Sequence, residues 1–280
     1  MGPVVWREES ELGTWTQVVC RPGALAGLVQ SVWLFDGKLE QQQRLYPTGE
    51  LDLIVQLDTP FEVVEGQPPG ACPSSCLTGL LVAPLVIETP AKSRLLGVRL
   101  RPAGAFALFG IPQYELTGAA VDLHAIIGSE ARRLTERLDE AGSDAERMRL
   151  LVRWITQRLA DHTSIDPTVA YAVSEIENAG GKVPIGRIVE QIGASPKRFA
   201  SLFEQQVGVR PKLFSRIVRF RELAAALPTL RDPLSETAIT HGYYDHSHMN
   251  LEFREFAGMS PSQFLTATQY PESLPQALAD

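Results

Sequence analysis

The chain has 280 residues, of which 44% are hydrophobic and 21% charged, with a formal net charge of −7. That is the make-up of an ordinary soluble globular protein, long for one core and comfortable for two. No run of about 18 apolar residues occurs, and the first residues lack a basic start followed by an apolar core, so no membrane partner and a cytoplasmic location are expected. Three cysteines, an odd number without an export signal, argue against a disulfide framework. Cys72 and Cys76 are expected to be loop cysteines in a Pro-rich stretch, with Cys20 remote. A metal or redox site there lacks a nearby His or fourth ligand, so no metal and no cofactor are expected.

Residues 1 to about 100 read as β. Leu51, Leu53, Val55 and Leu57 alternate with Asp52, Gln56 and Asp58, and Leu96, Val98 and Leu100 alternate with Gly97 and Arg99, as strands with one buried face should. Turn signals at Arg21-Pro22-Gly23, Tyr46-Pro47-Thr48-Gly49, Gly66 to Gly70 and Ala83-Pro84 favour a small barrel or sandwich. On this text Trp15, Trp33, Phe35 and Tyr46 are candidates for an effector pocket, with plain core as the competing reading. Arg99 and Arg101 beside a strand end can pair an acidic ligand or be solvated.

After Arg101-Pro102-Ala103-Gly104 the text turns helical. Ala105 begins one helix, and Ser129 to Ala141 carries Ala131, Leu134 and Leu138 at helical spacing. Asp144 is expected to cap the next helix, whose stripe is Met148, Leu151, Val152, Ile155 and Leu159. Such a stripe is core or packs against a second copy, so a homodimer is one option. Residues 161–167 read as a linker, and Val169, Val173 and Ile176 start a helix closed by Gly180-Gly181.

Two helix-turn-helix units follow. Ile185, Ile188, Val189 and Ile192 recur at i, i+3, i+4 and i+7, Gly193 breaks the helix, and Ser195-Pro196 restarts it. The second helix carries Phe199, Leu202, Phe203 and Val207 on one face, leaving Lys197, Arg198, Ser201 and Gln205 on the other. About fifty residues later Ser235 is expected to cap a short helix, Gly242 ends it, and Asp245 caps a helix with Met249, Phe253 and Phe256 inward. Between them Pro211 to Leu227 has Phe214, Ile217, Val218 and Leu223 inward and Arg216, Arg219 and Arg221 outward. A short helix, a Gly-containing turn and a second helix with one polar face fit the major groove of DNA.

Charge is divided unevenly between the units. Residues 184–226 hold eight Lys or Arg against three Glu, +5, whereas residues 227–268 hold two against five acids, −3. The first unit is therefore the expected electrostatic footprint on phosphates.

The run Ser195 to Phe203 with Gly208 and Pro211, then Gly242-Tyr243-Tyr244-Asp245-His246-Ser247-His248-Met249 with Phe253, Phe256, Gly258, Ser260-Pro261 and Phe264, resembles the AraC/XylS family of bacterial transcription regulators. Pro47 to Ile54, Gly97 to Gly104 and Leu108 to Pro112 are similar to the uncharacterised N-terminal domains attached to many AraC-like regulators. The resemblance implies an α+β chain: a cupin-like β-barrel with helices, then an all-α tandem helix-turn-helix domain. It implies a sensor and dimerisation domain at 1–160, the linker at 161–167, the DNA-binding domain at 168–268 and a tail at 269–280.

The sites it implies are Ser195, Lys197, Arg198, Ala200 and Ser201 in the first unit and His246, Ser247 and Asn250 in the second, against a solvated helix face as the bland reading. Ser201 and Leu251 stand where the family often has Arg, which removes a residue suited to guanine or phosphate. Trp15, Trp33, Phe35, Tyr46 and Arg99 are the effector candidates. An enzyme is not expected: of five histidines only His124 precedes the linker, and no phosphate loop or nucleophile motif is present. His246 and His248 diverge on their helix, so they do not make a metal pair. The partners expected are double-stranded DNA and a small-molecule effector of unknown identity. The alternative is a small-molecule-binding or isomerase-like barrel fused to a helical module that no longer reads DNA.

Overall fold

Leu51, Leu53 and Val55 are each 2% exposed or less, as the period-two pattern requires. A computed structural model describes residues 4–10, 13–19, 25, 27–37, 42–66, 69–160, 163–230 and 234–267. Its strands are β1 (Val4–Ser10), β2 (Gly13–Val19), β3 (Val29–Gly37), β4 (Gln42–Leu45), β5 (Leu51–Gln56), β6 (Glu62–Glu65), β7 (Gly70–Ala71), β8 (Ser75–Thr78), β9 (Leu85–Glu88), β10 (Ser93–Leu100) and β11 (Ala120–Asp122). They form two antiparallel sheets, ordered β1-β2-β3-β10-β5-β8-β11 and β4-β9-β6-β7. The expected small barrel is thus open, with two facing sheets that close on Phe61, Val63, Cys72, Cys76 and Ile87. Cys72 lies in the loop before β8, as expected, but Cys76 lies on β8 itself, which corrects the expectation of a loop cysteine there; both are buried, with sulfurs 3.6 Å apart. Cys20 lies outside the described residues.

Gly97 faces Trp33 across the β10 and β3 pairing, and a Cβ there would lie 2.2 Å from the indole. The ring therefore lies flat across β10 only because that position has no side chain.

The helices are α1 (Gly104–Phe109), α2 (Leu123–Ile127), α3 (Ser129–Glu140), α4 (Asp144–Ala160), α5 (Pro167–Asn178), α6 (Ile185–Ile192), α7 (Pro196–Val207), α8 (Pro211–Ala226), α9 (Leu234–Thr240), α10 (His246–Ala257) and α11 (Pro261–Thr266). The cap of α4 is Ser143, whose hydroxyl accepts from the Glu146 amide at 3.3 Å, rather than Asp144. Asp144 instead holds Arg94 at 2.6 Å and Arg147 at 3.0 Å. Of the stripe, Met148, Leu151, Ile155 and Leu159 are buried within the chain's own core, and Val152 is half-buried against it. Helix α9 begins at Leu234, one residue ahead of the cap expected at Ser235, whose side chain is outside the described set.

Helix α8 is the spine of the C-terminal half. Phe214 and Val218 enter the core that contains Phe199, Phe203 and Val207 of the first unit. Ile217, Phe220 and Leu223 enter the core of the second unit with Met249, Phe253 and Phe256. One helix with apolar residues on two faces thereby fixes both units, a use of amphipathicity beyond a single stripe.

Candidate nucleic-acid interface and ligand cavity

On the first unit, Gly193 ends α6 with φ 67°, a conformation glycine adopts without strain, and Ser195 occupies the cap position of α7 without a side-chain hydrogen bond there. Ser195, Lys197, Arg198 and Ser201 are exposed and Ala200 is half-buried, whereas Phe199, Phe203 and Val207 are sealed beneath. The exposed face of α7 is therefore the polar one the spacing predicts. Gln206, on the buried side, accepts from the Asp166 amide at 3.0 Å and ties α7 to the start of α5.

On the second unit, Asp245 accepts from the His248 amide at 2.7 Å and caps α10. His246 and Ser247 are exposed, and Asn250 Nδ2 lies 3.2 Å from His246 Nε2. His248 packs its ring against Tyr243, with its Nδ1 accepting from the Tyr244 amide at 3.2 Å. Leu251 is 71% exposed on this face and Tyr244 86%.

The cations of α8 are placed differently from the expectation of outward-facing arginines. Arg219 and Arg216 converge on the buried Glu252, at 2.8 Å and 2.7 Å, and Arg216 also pairs with Glu255. Arg221 lies 3.2 Å from Glu222 and donates from Nη1 to the Thr48 carbonyl at 3.1 Å. Of the eight cations in residues 184–226, Arg216, Arg219 and Arg221 are thus committed to partly buried pairs, Arg210 pairs with Glu204 at the surface at 3.4 Å, and Arg187, Lys197, Arg198 and Lys212 are exposed.

A cavity of about 150 Å³ opens between the two sheets, walled by Leu45, Tyr46, Ile54, Val63, Leu81 and Leu85, with Thr48, Glu50, Asp52, Thr78 and Arg99 as its polar lining. Arg99 lies directly opposite Asp52 in the β10 and β5 pairing. Its guanidinium meets Asp52 in a bidentate pair, Nε to Oδ1 at 3.1 Å and Nη2 to Oδ2 at 3.0 Å. Trp33 Nε1 donates to Asp52 Oδ1 at 3.3 Å, and the Asp52 amide donates to Thr78 Oγ1 at 2.8 Å. Burial works against the Arg99 charge, and the carboxylates of Asp52 and Glu50 more than offset it. Burial also raises the Glu50 carboxyl above its ordinary range, against the pull of Arg99 and Arg221.

Of the five effector candidates, Tyr46 and Arg99 line this cavity. Trp33 stands behind it as the support of Asp52, Phe35 is fully buried in the sheet, and the side chain of Trp15, on β2, is outside the described set. Glu50 and Asp52 were missed. Their signal is an acidic pair two apart at the entry to a strand, Glu50 just before β5 and Asp52 within it, spacing that alternation puts on one face. Among the described residues no group of three or more His, Cys, Asp or Glu is placed to hold a metal, and no helix is long and apolar enough to cross a membrane.

The stretch from Tyr46 to Glu50 joins the cavity to the helical half. Thr48 accepts from Arg221, Gly49 (φ 85°) lies against Phe214 and Ile217, and Glu50 opens onto the cavity. Nearby, Thr117 Oγ1 donates to the Gly208 carbonyl at 2.7 Å, and the Tyr46 ring meets Phe264 edge-on at 5.2 Å.

Comparison with known proteins matches two separate stretches of the chain. Residues 188–267 match a helix-turn-helix domain family, and residues 20–122 match a domain of unknown function, DUF6597. The arabinose operon regulatory protein of Escherichia coli is 27% identical over 105 residues, 37% of this chain and 36% of that protein. Its Salmonella typhimurium counterpart is also 27% identical over 105 residues, 37% of each chain. The chain thus spans about a third of the length of the curated relatives it matches. Among solved structures, ToxT from Vibrio cholerae has a TM-score of 0.45 at 10% identity, covering 84% of this chain and 97% of that one. The C-terminal domain of AraT, a response regulator from Geobacillus stearothermophilus, has a TM-score of 0.36 at 20% identity, covering 39% of this chain and 91% of that one.

Proposed function

We propose that this chain, whose residues 188–267 match a helix-turn-helix domain, is a sequence-specific DNA-binding transcription regulator rather than an enzyme, controlled by a small molecule held in its N-terminal half. The observation that carries the reading is α8: it is packed into both helix-turn-helix cores, so the exposed faces of α7 and α10 are held as one unit toward a duplex. Ser195, Lys197, Arg198, Ala200, Ser201, His246, Ser247 and Asn250 are the proposed contacts. The sensor occupies residues 1–160, the linker 161–167 and the reader 168–268.

Control follows from the contact between halves. A ligand that shifts Glu50 moves Thr48 and Gly49, on which Arg221, Phe214 and Ile217 of α8 rest. An effector with different affinities for two packings of α8 would change DNA affinity by the same factor by which DNA changes its own.

Fluorescence anisotropy with a labelled duplex from the region upstream of its own coding sequence tests the reading. Binding that survives excess unrelated duplex supports it. The second reading, a sensor whose helical module no longer reads DNA, draws on exposed Leu251 and on the three arginines spent internally. It predicts binding that unrelated duplex removes completely.

A further inference from the structure

Glu50 is the one carboxyl of the cavity lining whose negative charge the protein leaves uncompensated by hydrogen bonds. Its side chain is 10% exposed, and its Oε2 is buried without a hydrogen-bond partner. The nearest cation is Arg99, with Nε 3.5 Å from Oε2, yet that N–H is given to Asp52 Oδ1 at 3.1 Å. The next cation, Arg221, spends its groups on the Thr48 carbonyl and on Glu222. An unmatched buried acceptor costs free energy comparable to a lost charged hydrogen bond, so a donor that enters the cavity at this oxygen gains an interaction the fold leaves unmade.

We infer that the cavity takes a small primary amine, its ammonium group donating to Glu50 and its compact apolar body lying on Leu45, Ile54, Val63, Leu81 and Leu85. The inference rests on the reading of this cavity as the effector site. Three considerations support it. Arg99 and Asp52 cancel one another in a bidentate pair, so the polar lining has a net charge of one negative, which repels a carboxylate and attracts an ammonium. Thr48, whose hydroxyl accepts from the Glu50 amide at 3.3 Å, and Tyr46 add hydroxyls to a lining otherwise largely aliphatic. The volume, about 150 Å³, is of the order that holds a benzene-sized body.

The probes are benzylamine, benzyl alcohol and benzoate, of similar size and of charge plus one, zero and minus one. Each is titrated into the full chain by calorimetry. Benzylamine should bind at least about tenfold tighter than benzoate, and Glu50→Gln should remove about tenfold of the amine's affinity while leaving that of benzyl alcohol unchanged. In the unaltered chain, which removes any dependence on the variant's folding, amine affinity should fall as pH is lowered and Glu50, its carboxyl raised by burial, takes up a proton among Arg99, Asp52, Arg221 and Glu177. Benzoate binding tighter than benzylamine, or amine affinity that ignores both Glu50→Gln and pH, overturns the amine assignment and leaves the effector reading standing. Binding of none of the three overturns both.

Discussion

Arg219 holds Glu252 through Nη2, which lies 2.8 Å from Oε1 and 2.9 Å from Oε2, and so locks α8 to α10 from inside the second helix-turn-helix unit. Glu252 is 2% exposed and shares Arg216 at 2.7 Å, so its charge is matched on two sides. Removing the carboxylate takes the ion pair from the mostly buried Arg219 and leaves Arg216 with Glu255 alone. Glu252→Ala is expected to destabilise the chain by about 3 kcal/mol or more, read as a lower midpoint in urea denaturation. A shift smaller than about 1 kcal/mol would mean that water reaches the pair, as at surface ion pairs. The Glu252 charge is thus spent inside the unit, although the residue lies on α10.

The two units should contribute unequally to DNA affinity. Lys197 and Arg198 are exposed on α7, whereas α10 offers His246, Asn250 and an exposed Leu251. Replacing Lys197 and Arg198 by Ala should lower affinity and reduce the slope of log K against log salt by about 0.9 for each lost phosphate contact. His246→Ala with Asn250→Ala should cost much less, and Leu251→Arg should strengthen binding. Anisotropy at several salt concentrations separates these. Equal losses from the two pairs would sink the asymmetry.

Glu50 also sets a pH dependence of stability. Burial holds its folded pKa above the unfolded value, so the folded chain keeps a proton where the unfolded chain has released it. Its contribution is present in full below the unfolded value, about 4.3, and is lost as pH rises through the folded one. Glu50→Gln has no proton to lose. It should match or exceed the parent's Tm at neutral pH, with the advantage shrinking below about pH 4.5. A variant that is less stable at neutral pH, by an amount independent of pH, would contradict this.

Gly97→Ala should be among the most damaging single-methyl changes in the sheet. The added Cβ would sit 2.2 Å from the Trp33 ring, and moving that ring breaks its hydrogen bond to Asp52. The cost is expected to be about 3 kcal/mol, and near-ultraviolet circular dichroism should report the displaced indole. Unchanged dichroism together with an unchanged Tm would show that the strand yields instead.

Local text determined most of the elements, because helix and strand periods, caps and breakers act within a few residues. The alternation around Leu51 and Leu96, the stripes of α7 and α10, and the stops at Gly193 and Gly242 were all legible in this way, and so was the polar face of α7. Tertiary structure decided which charges meet. Arg99 and Asp52 are 47 residues apart in sequence and become neighbours only through strand pairing. Arg221 reaches Thr48 across 173 residues, and Glu252 draws in Arg216 and Arg219 across more than thirty. A charge count treats every arginine as available to a partner; burial decides which are not, since an acid taken out of water must be matched by the nearest cation the fold can bring to it. The same competition left Glu50 unmatched, and nothing in the chain's one-dimensional order distinguishes it from Asp52, two residues away.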